Sequence, residues 1–301
     1  MPNNISDKLY MDFTDNFETA IKSIKAAAPL IHCITNPISI NDCANAVLAL
    51  GARPIMAEHP LEVKKITESS KALCLNIANI TDARMESIKI SALTANENHI
   101  PVILDVVGIN CSDLRFKYVT RLLEDIKPTV VKGNLAEIKK LAHVKAAYVG
   151  IDSMEKIENE NDLLAAAEIV RGLAQNINCI ILATGRADII SDGFYTAIIE
   201  NGSELLPKIT GTGCMLNVIT GTMLSADLSS VMADKKIQLG ANMLRVILGT
   251  AILGICGEMA EAKSLENGVF QGLGTYHINL MNALSIFTAD DIKTRLLLRF
   301  L

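Results

Sequence analysis

The chain has 301 residues, half of them hydrophobic, a fifth charged and 4% aromatic, with no Trp. That hydrophobicity, against a net charge of only -5, excludes disorder as the dominant state, and the mild acidity argues against a nucleic-acid binder, which carries a basic stripe. Seven Cys with no C-x-x-C pair point to reduced thiols in a cytoplasmic protein and away from a disulfide framework or zinc site.

Along the chain, the start MPNNISDKLYMDFTD is too polar and acidic for a secretory or transit peptide. Phe17, Ile21 and Ile24 follow the i, i+4, i+7 spacing of an amphipathic helix, which Pro29 ends. An apolar run at 30–34 follows. Ser39, with Asp42 three residues on, is a candidate cap for the next helix. Cys43, Val47 and Leu50 share a face of it, and Gly51 sits at the C′ position. Strands are expected at 54–57 and 72–77, a helix at 82–98 and a buried strand at 101–107. A helix at 112–125, a strand at 129–131 and a helix from Leu135 come next.

Residues 155–162 read as a solvated loop, 162–175 as a helix and 178–183 as a strand. Two short extended segments surround Ile189 and Tyr195, and from Thr212 the chain reads as mostly helical. The greasiest stretch, 246–256, is bracketed by Arg245 and Glu258 and is shorter than the ~20 residues a bilayer span takes, so no membrane association is expected. Strands alternating with helices of this length indicate βαβ units and a parallel sheet. With no repeat and no linker, one domain over 1–301 is expected, with 1–14 as a flexible extension.

Ligands of such sheets bind beyond the carboxyl ends of the strands, and four polar sites lie there. Thr210-Gly211-Thr212-Gly213-Cys214 opens a helix of small residues. Its backbone N–H groups and dipole suit an anion, although Thr210 or Thr212 also suits an ordinary N-cap. Cys214, in that first turn, is the best placed of the seven thiols for reactivity, against the common case of an inert buried Cys. Asp105 follows the apolar run PVIL, where a carboxylate is costly unless paired or beside a metal. Lys132 can meet a phosphate as a point charge, and Asn134 with Glu137 has the spacing of a capping box. Thr184-Gly185 suits either a phosphate contact or a plain turn. His32 has no His partner at metal spacing and reads as a structural hydrogen-bonding residue, and Asn36 opens a loop where its amide can face a ligand. No Walker A and no G-x-G-x-x-G sequence is present.

The segments PLIHCITNPISINDCANAVLALGARPIMAEHPLEV, ALCLNI, PVILDVVG, VKGNLAEI, ATGRADIISDG and ITGTGCML, in this order, strongly resemble the hydroxyethylthiazole kinase family, over roughly residues 15 to 295. The resemblance implies a ribokinase-like α/β three-layer sandwich, a mostly parallel sheet flanked by helices. It implies a homotrimer with active sites between subunits. The implied reaction is ATP- and magnesium-dependent phosphorylation of 4-methyl-5-(2-hydroxyethyl)thiazole in thiamine salvage.

The same resemblance implies thiazole contacts from Asn36, the Met56 backbone and Gly211. It gives ATP contacts to Lys132 and Thr184, magnesium to Asp105 and Glu137, and an anion hole to Gly211, Thr212 and Gly213, with Cys214 beside the reacting hydroxyl. The wider superfamily usually has Asp where Cys214 stands. Position 132 is commonly Arg in the family, so Lys132 keeps the charge and loses the bidentate fork. Val106-Val107 replaces the usual Pro-Val after Asp105. Two rival readings are another ribokinase-like small-alcohol kinase and a non-catalytic thiazole- or nucleotide-binding protein on this scaffold.

Overall fold

The computed structural model describes residues 17–145, 159–229 and 239–301. The expected extension at 1–14 lies outside them, as does most of the loop expected at 155–162. Helix α1 covers 17–27. The parallel part of the sheet is β1 (Leu30–Ile34), β2 (Arg53–Ile55), β3 (Ala72–Asn76), β4 (Val102–Asp105), β5 (Val130–Asn134) and β6 (Ile180–Thr184). Strands β7 (Asp188–Ser191) and β8 (Thr196–Ile199) continue it antiparallel. The hairpin β9 (Leu265–Glu266) and β10 (Val269–Phe270) stands apart. Strand β11 (Leu298–Phe300) pairs antiparallel with β8. The nine-stranded order is β11-β8-β7-β6-β5-β4-β3-β1-β2. Each parallel step needs a crossover, and helices supply it: α2 (Ile40–Ala49), α3 (Val63–Glu68), α4 (Asp82–Glu97), α5 (Asp113–Asp125), α6 (Leu135–Lys145) and α7 (Glu160–Ile177).

Side chains alternate across each strand, and the alternation sorts the core into two clusters. Ile31, Cys33, Cys74, Ile103, Val130 and Leu182 meet α1, α2 and the C-terminal helices. Ile34, Leu73, Leu75, Leu104, Val131 and Ile181 meet α4, α5, α6 and α7. The C-terminal helices are α8 (Thr212–Leu224), α9 (Ala241–Lys263), α10 (Leu273–Ile286) and α11 (Ala289–Arg295). Helix α8 lies directly on β3 and β4.

Three expectations change here. The greasy stretch 246–256 belongs to the 23-residue α9, which is long and apolar enough to cross a membrane by length and composition. Its apolar window is 83% buried inside the protein, against α8 and α10, so the hydrophobicity serves the core. Ser39 stands at the N-cap of α2, but its side chain makes no capping bond. The Asn36 Oδ1 accepts from the N–H groups of Ile38 and Ser39 at 3.1 and 3.2 Å, the second of them the group Asp42 would reach in a capping box, and Asp42 turns to His277. Helix α7 starts at Glu160, because Asn159 and Asp162 form a capping box there.

Candidate active site

The strand register assembles the site. Asn76 pairs with Asp105, and Asp105 with Lys132, across β3, β4 and β5. With period-two alternation, all three side chains leave the sheet on the face of Cys74, Ile103 and Val130, beneath the start of α8. The Lys132 Nζ donates to Asp105 Oδ2 at 2.9 Å, and both side chains are almost fully enclosed, 4% and 2% exposed. Asn76 Nδ2 donates to the same oxygen at 3.1 Å, and the Val107 N–H to Oδ1 at 3.2 Å. Burial pulls the Lys132 pKa down, but Asp105, by charge and hydrogen bond, with Cys214 and Glu137 outweighs it, and the net direction is up. Lys132 is therefore a fixed ammonium.

Above this row sits the glycine-rich turn. Gly211 caps α8 at φ +92, a left-handed conformation that L side chains adopt only under strain. A Cβ added there would stand 2.8 Å from Ser39 Cβ, so the turn is pressed against the start of α2. At Gly213 an added Cβ would lie 3.7 Å from Lys132 Nζ, which puts the ammonium directly beside the turn. The first N–H groups of a helix have no intrahelical acceptor, so those of Thr212, Gly213 and Cys214 are open to a ligand at this turn. The Thr212 hydroxyl donates back to the Leu206 carbonyl at 2.9 Å, so Thr212 offers its backbone alone. Neither threonine acts as N-cap, because Gly211 holds that position.

Cys214 is 9% exposed, and its sulfur accepts from Asn36 Nδ2 at 3.1 Å and Asn76 Nδ2 at 3.4 Å. Two amides thus aim the thiol between them. Asn76 escaped the sequence reading, although it ends the apolar run ALCL as Asp105 ends PVIL. Glu137 accepts from the Asn134 N–H at 2.7 Å, while Asn134 Oδ1 accepts from the Glu137 N–H at 2.9 Å, so the capping box is real. Its other oxygen accepts from the Gly108 N–H at 2.6 Å and ties down the loop after Asp105. Burial foremost, with Asp105 adding, raises the Glu137 pKa despite these bonds.

Thr184 ends β6 one strand further on, its hydroxyl donating to the Gly133 carbonyl at 3.4 Å. Asp188, also unmarked in the sequence, accepts from the Gly185 N–H at 3.1 Å. Burial pushes it up to about 7, against the pull of Gly185 and Lys132. Met56 follows β2 and packs on the core cluster that includes Cys214. A cavity of about 500 Å³, lined by Thr35, Ile40, Glu58 and Arg84 among others, lies beside Asn36 and the Met56 segment. A larger one of about 730 Å³, lined by Lys71, Thr129 and Arg245, opens at the opposite, amino-terminal edge of the strands and has no part in this site.

A mostly parallel sheet with an ammonium, a paired carboxylate and an open helix N-terminus at its carboxyl edge suits a phosphotransferase. The chain matches the hydroxyethylthiazole kinase family over residues 21–290. It is 46% identical over 275 residues to hydroxyethylthiazole kinase 2 of Clostridium botulinum, covering 90% of this chain and 95% of that one. It is 37% identical over 285 residues to the hydroxyethylthiazole kinase of Alkaliphilus oremlandii, covering 95% and 98%. The solved hydroxyethylthiazole kinase of Pyrococcus horikoshii superposes with a TM-score of 0.80 at 26% identity, covering 95% and 99% of the two chains. The chain belongs to the hydroxyethylthiazole kinase family, and it is an enzyme of that activity.

Proposed function

We propose that the site transfers the γ-phosphoryl group of ATP to the hydroxyl of 4-methyl-5-(2-hydroxyethyl)thiazole, a step of thiamine salvage. The observation that carries this reading is the placement of the buried Lys132 ammonium beside Gly213 in the first turn of α8, where the backbone N–H groups have no intrahelical acceptor. Phosphoryl transfer rests on positioning and charge neutralisation more than on covalent chemistry. In this reading the Gly211–Cys214 backbone receives the charge that develops on the transferred group. Lys132 adds a positive charge from the sheet side, and Thr184 meets the nucleotide. Asn36, the Met56 backbone and Gly211 hold the thiazole. Cys214 stands beside the hydroxyl, oriented by Asn36 and Asn76. A loose transition state sheds the alcohol proton late, so a thiol suffices where relatives keep a carboxylate.

Magnesium fits this arrangement as an ion carried by the nucleotide. Asp105 and Glu137 are close enough to perturb one another, and each keeps acceptor capacity beyond its present bonds. No cluster of three or more acidic, His or Cys ligands stands among the described residues. Magnesium characteristically takes one or two carboxylates, waters and substrate phosphates. Held there, it would supply positive charge to the phosphates.

The reading includes a cytoplasmic homotrimer with sites shared between subunits. Supporting it are seven free cysteines and the apolar side chains Ile38, Leu61 and Ile278, 66%, 91% and 64% exposed on the single chain. Sedimentation equilibrium checks the trimer, and a monomer at all concentrations refutes it. The activity is tested by incubating the protein with magnesium-ATP and a panel of alcohols that includes the thiazole, and measuring ADP. Preferential ADP formation with the thiazole supports the reading. ADP with a different alcohol assigns another small-alcohol kinase, and tight thiazole binding without ADP assigns a binding protein.

A further inference from the structure

His32 takes no part in the site described so far. It is fully buried and, by alternation along β1, faces the cluster of Ile34, away from Cys33. Both ring nitrogens are engaged. Nε2 lies 2.9 Å from the Ala57 carbonyl, and Nδ1 lies 2.9 Å from Thr67 Oγ1 on α3. A carbonyl only accepts, so Nε2 carries the hydrogen. Burial lowers the pKa of the ring against the pull of Ala57 and Glu62, which keeps it neutral and leaves Nδ1 an acceptor. The Thr67 hydroxyl stands between two acceptors, Nδ1 and the Val63 carbonyl at 2.8 Å, with one hydrogen for both. The Ala57 carbonyl therefore sets the tautomer, and Thr67 holds the opposite edge of the ring.

Ala57 directly follows Met56. The next carbonyl, of Glu58, accepts from Ser87 Oγ at 2.7 Å, and the Glu58 carboxylate faces Arg84 Nε at 3.3 Å. The segment that carries Met56 past the 500 Å³ cavity is thus held at consecutive residues, with the His32 bond nearest to Met56.

We propose that His32 is a positioning residue for the acceptor alcohol: its Nε2–H, on a ring held from its other edge by Thr67, pins the Ala57 carbonyl and so fixes the Met56 backbone against which the thiazole binds. This rests on the reading of Met56 as an acceptor contact. The relay joins three elements, α3 through Thr67, β1 through His32 and the loop after β2 through Ala57. It touches neither the Lys132 row nor the nucleotide side, and its effect falls on one substrate.

The test uses the full-length enzyme with magnesium-ATP and the thiazole, and compares His32→Leu, His32→Gln and Thr67→Val. His32→Leu is expected to raise the KM for the thiazole about tenfold, the scale of one net hydrogen bond, with kcat and the KM for ATP within about twofold. His32→Gln, which restores an N–H near the Nε2 position, recovers most of that loss. Thr67→Val keeps the volume and removes only the hydroxyl, so it carries the comparison even where His32→Leu does not fold. It is expected to give an intermediate rise of about threefold. Long-range 15N–1H correlation on the wild type should show His32 as the Nε2–H tautomer. An unchanged thiazole KM in folded His32→Leu or Thr67→Val overturns the proposal, as does an equal rise of both KM values or an Nδ1–H tautomer in the wild type. Wild-type protein that makes no ADP with the thiazole overturns the functional reading instead, and the tautomer measurement separates the two failures.

Discussion

Replacing Lys132 by Met removes one half of a buried ion pair. At the 2.9 Å separation of Nζ and Oδ2, the gross attraction is about 6 kcal/mol at an effective dielectric constant of about 20. Desolvation of both groups offsets much of that, so the pair itself contributes little net stability. Breaking it one-sidedly is different, because a carboxylate is left enclosed, and such changes cost about 3–5 kcal/mol. Asp105 keeps its bonds from Asn76 and Val107, which places the expected loss near ~3 kcal/mol within that range. A domain stable by about 5–15 kcal/mol survives this. Asp105→Asn, which strands the ammonium instead, costs a similar amount. The double variant Lys132→Met/Asp105→Asn leaves no unpaired charge, and its loss falls short of the sum of the singles by roughly 2 kcal/mol. Urea unfolding at pH 7.5 measures all three. Turnover tells a separate story: each variant loses about 10²–10³ in kcat, the scale of one missing group against transition-state charge, and the double recovers none of it. A loss below about 1 kcal/mol in Lys132→Met, or additive losses in the pair, refutes the enclosed-pair argument, and restored turnover in the double refutes the assignment of Lys132 to the reaction.

Gly211→Ala forces an L side chain into the left-handed region at φ +92 and against Ser39 Cβ at 2.8 Å. Urea unfolding is expected to show a loss of at least ~1–2 kcal/mol, with loss of turnover, and wild-type values in both refute the packed turn. Asp188 has a folded pKa of about 7 against an ordinary 3.8, so the native state binds its proton more tightly than the unfolded chain does. Its contribution to stability is present at low pH and declines as pH rises between those two values. Asp188→Asn is therefore expected to gain Tm over the wild type more at pH 8 than at pH 5, and a pH-independent difference contradicts this. Cys214→Ala should retain substantial ADP production and Cys214→Asp should keep or raise it. A complete loss in folded Cys214→Asp removes any base-like role.

The βαβ order was legible because the apolar runs of β1, β3, β4 and β6 are short, continuous and bounded by polar residues. Helix α3 and strand β11 escaped, being six and three residues long, too short for periodicity to register. Asp105, Lys132 and Cys214 each stood out at the end of a run or the start of a helix. Their meeting at the carboxyl edge was legible as well, since each follows a run of one parallel sheet, but which strands stand side by side was not, because adjacency depends on long-range pairing that one sequence does not display. Asn76 shows the same gap: only beside Asp105 and Cys214 does an ordinary strand-end amide become a site residue. The incomplete Ser39–Asp42 box has the opposite cause, since Asn36, three residues before Ser39, holds the Ser39 N–H that Asp42 would have reached.

The two amides on the Cys214 sulfur also bear on how the protein ages. Hydrolysis of either Asn to Asp would replace an N–H donor with a negative oxygen against the thiol. Spontaneous deamidation begins when the backbone nitrogen of the next residue attacks the side-chain carbonyl. Asn36 is followed by Pro37, whose nitrogen carries no hydrogen to lose. Asn76 is followed by Ile77, a branched residue whose N–H is held by the Asp105 carbonyl at 3.3 Å. The pair that orients the thiol is thereby shielded from the commonest chemical damage to asparagine, so activity lost on long storage should trace to sites other than these two.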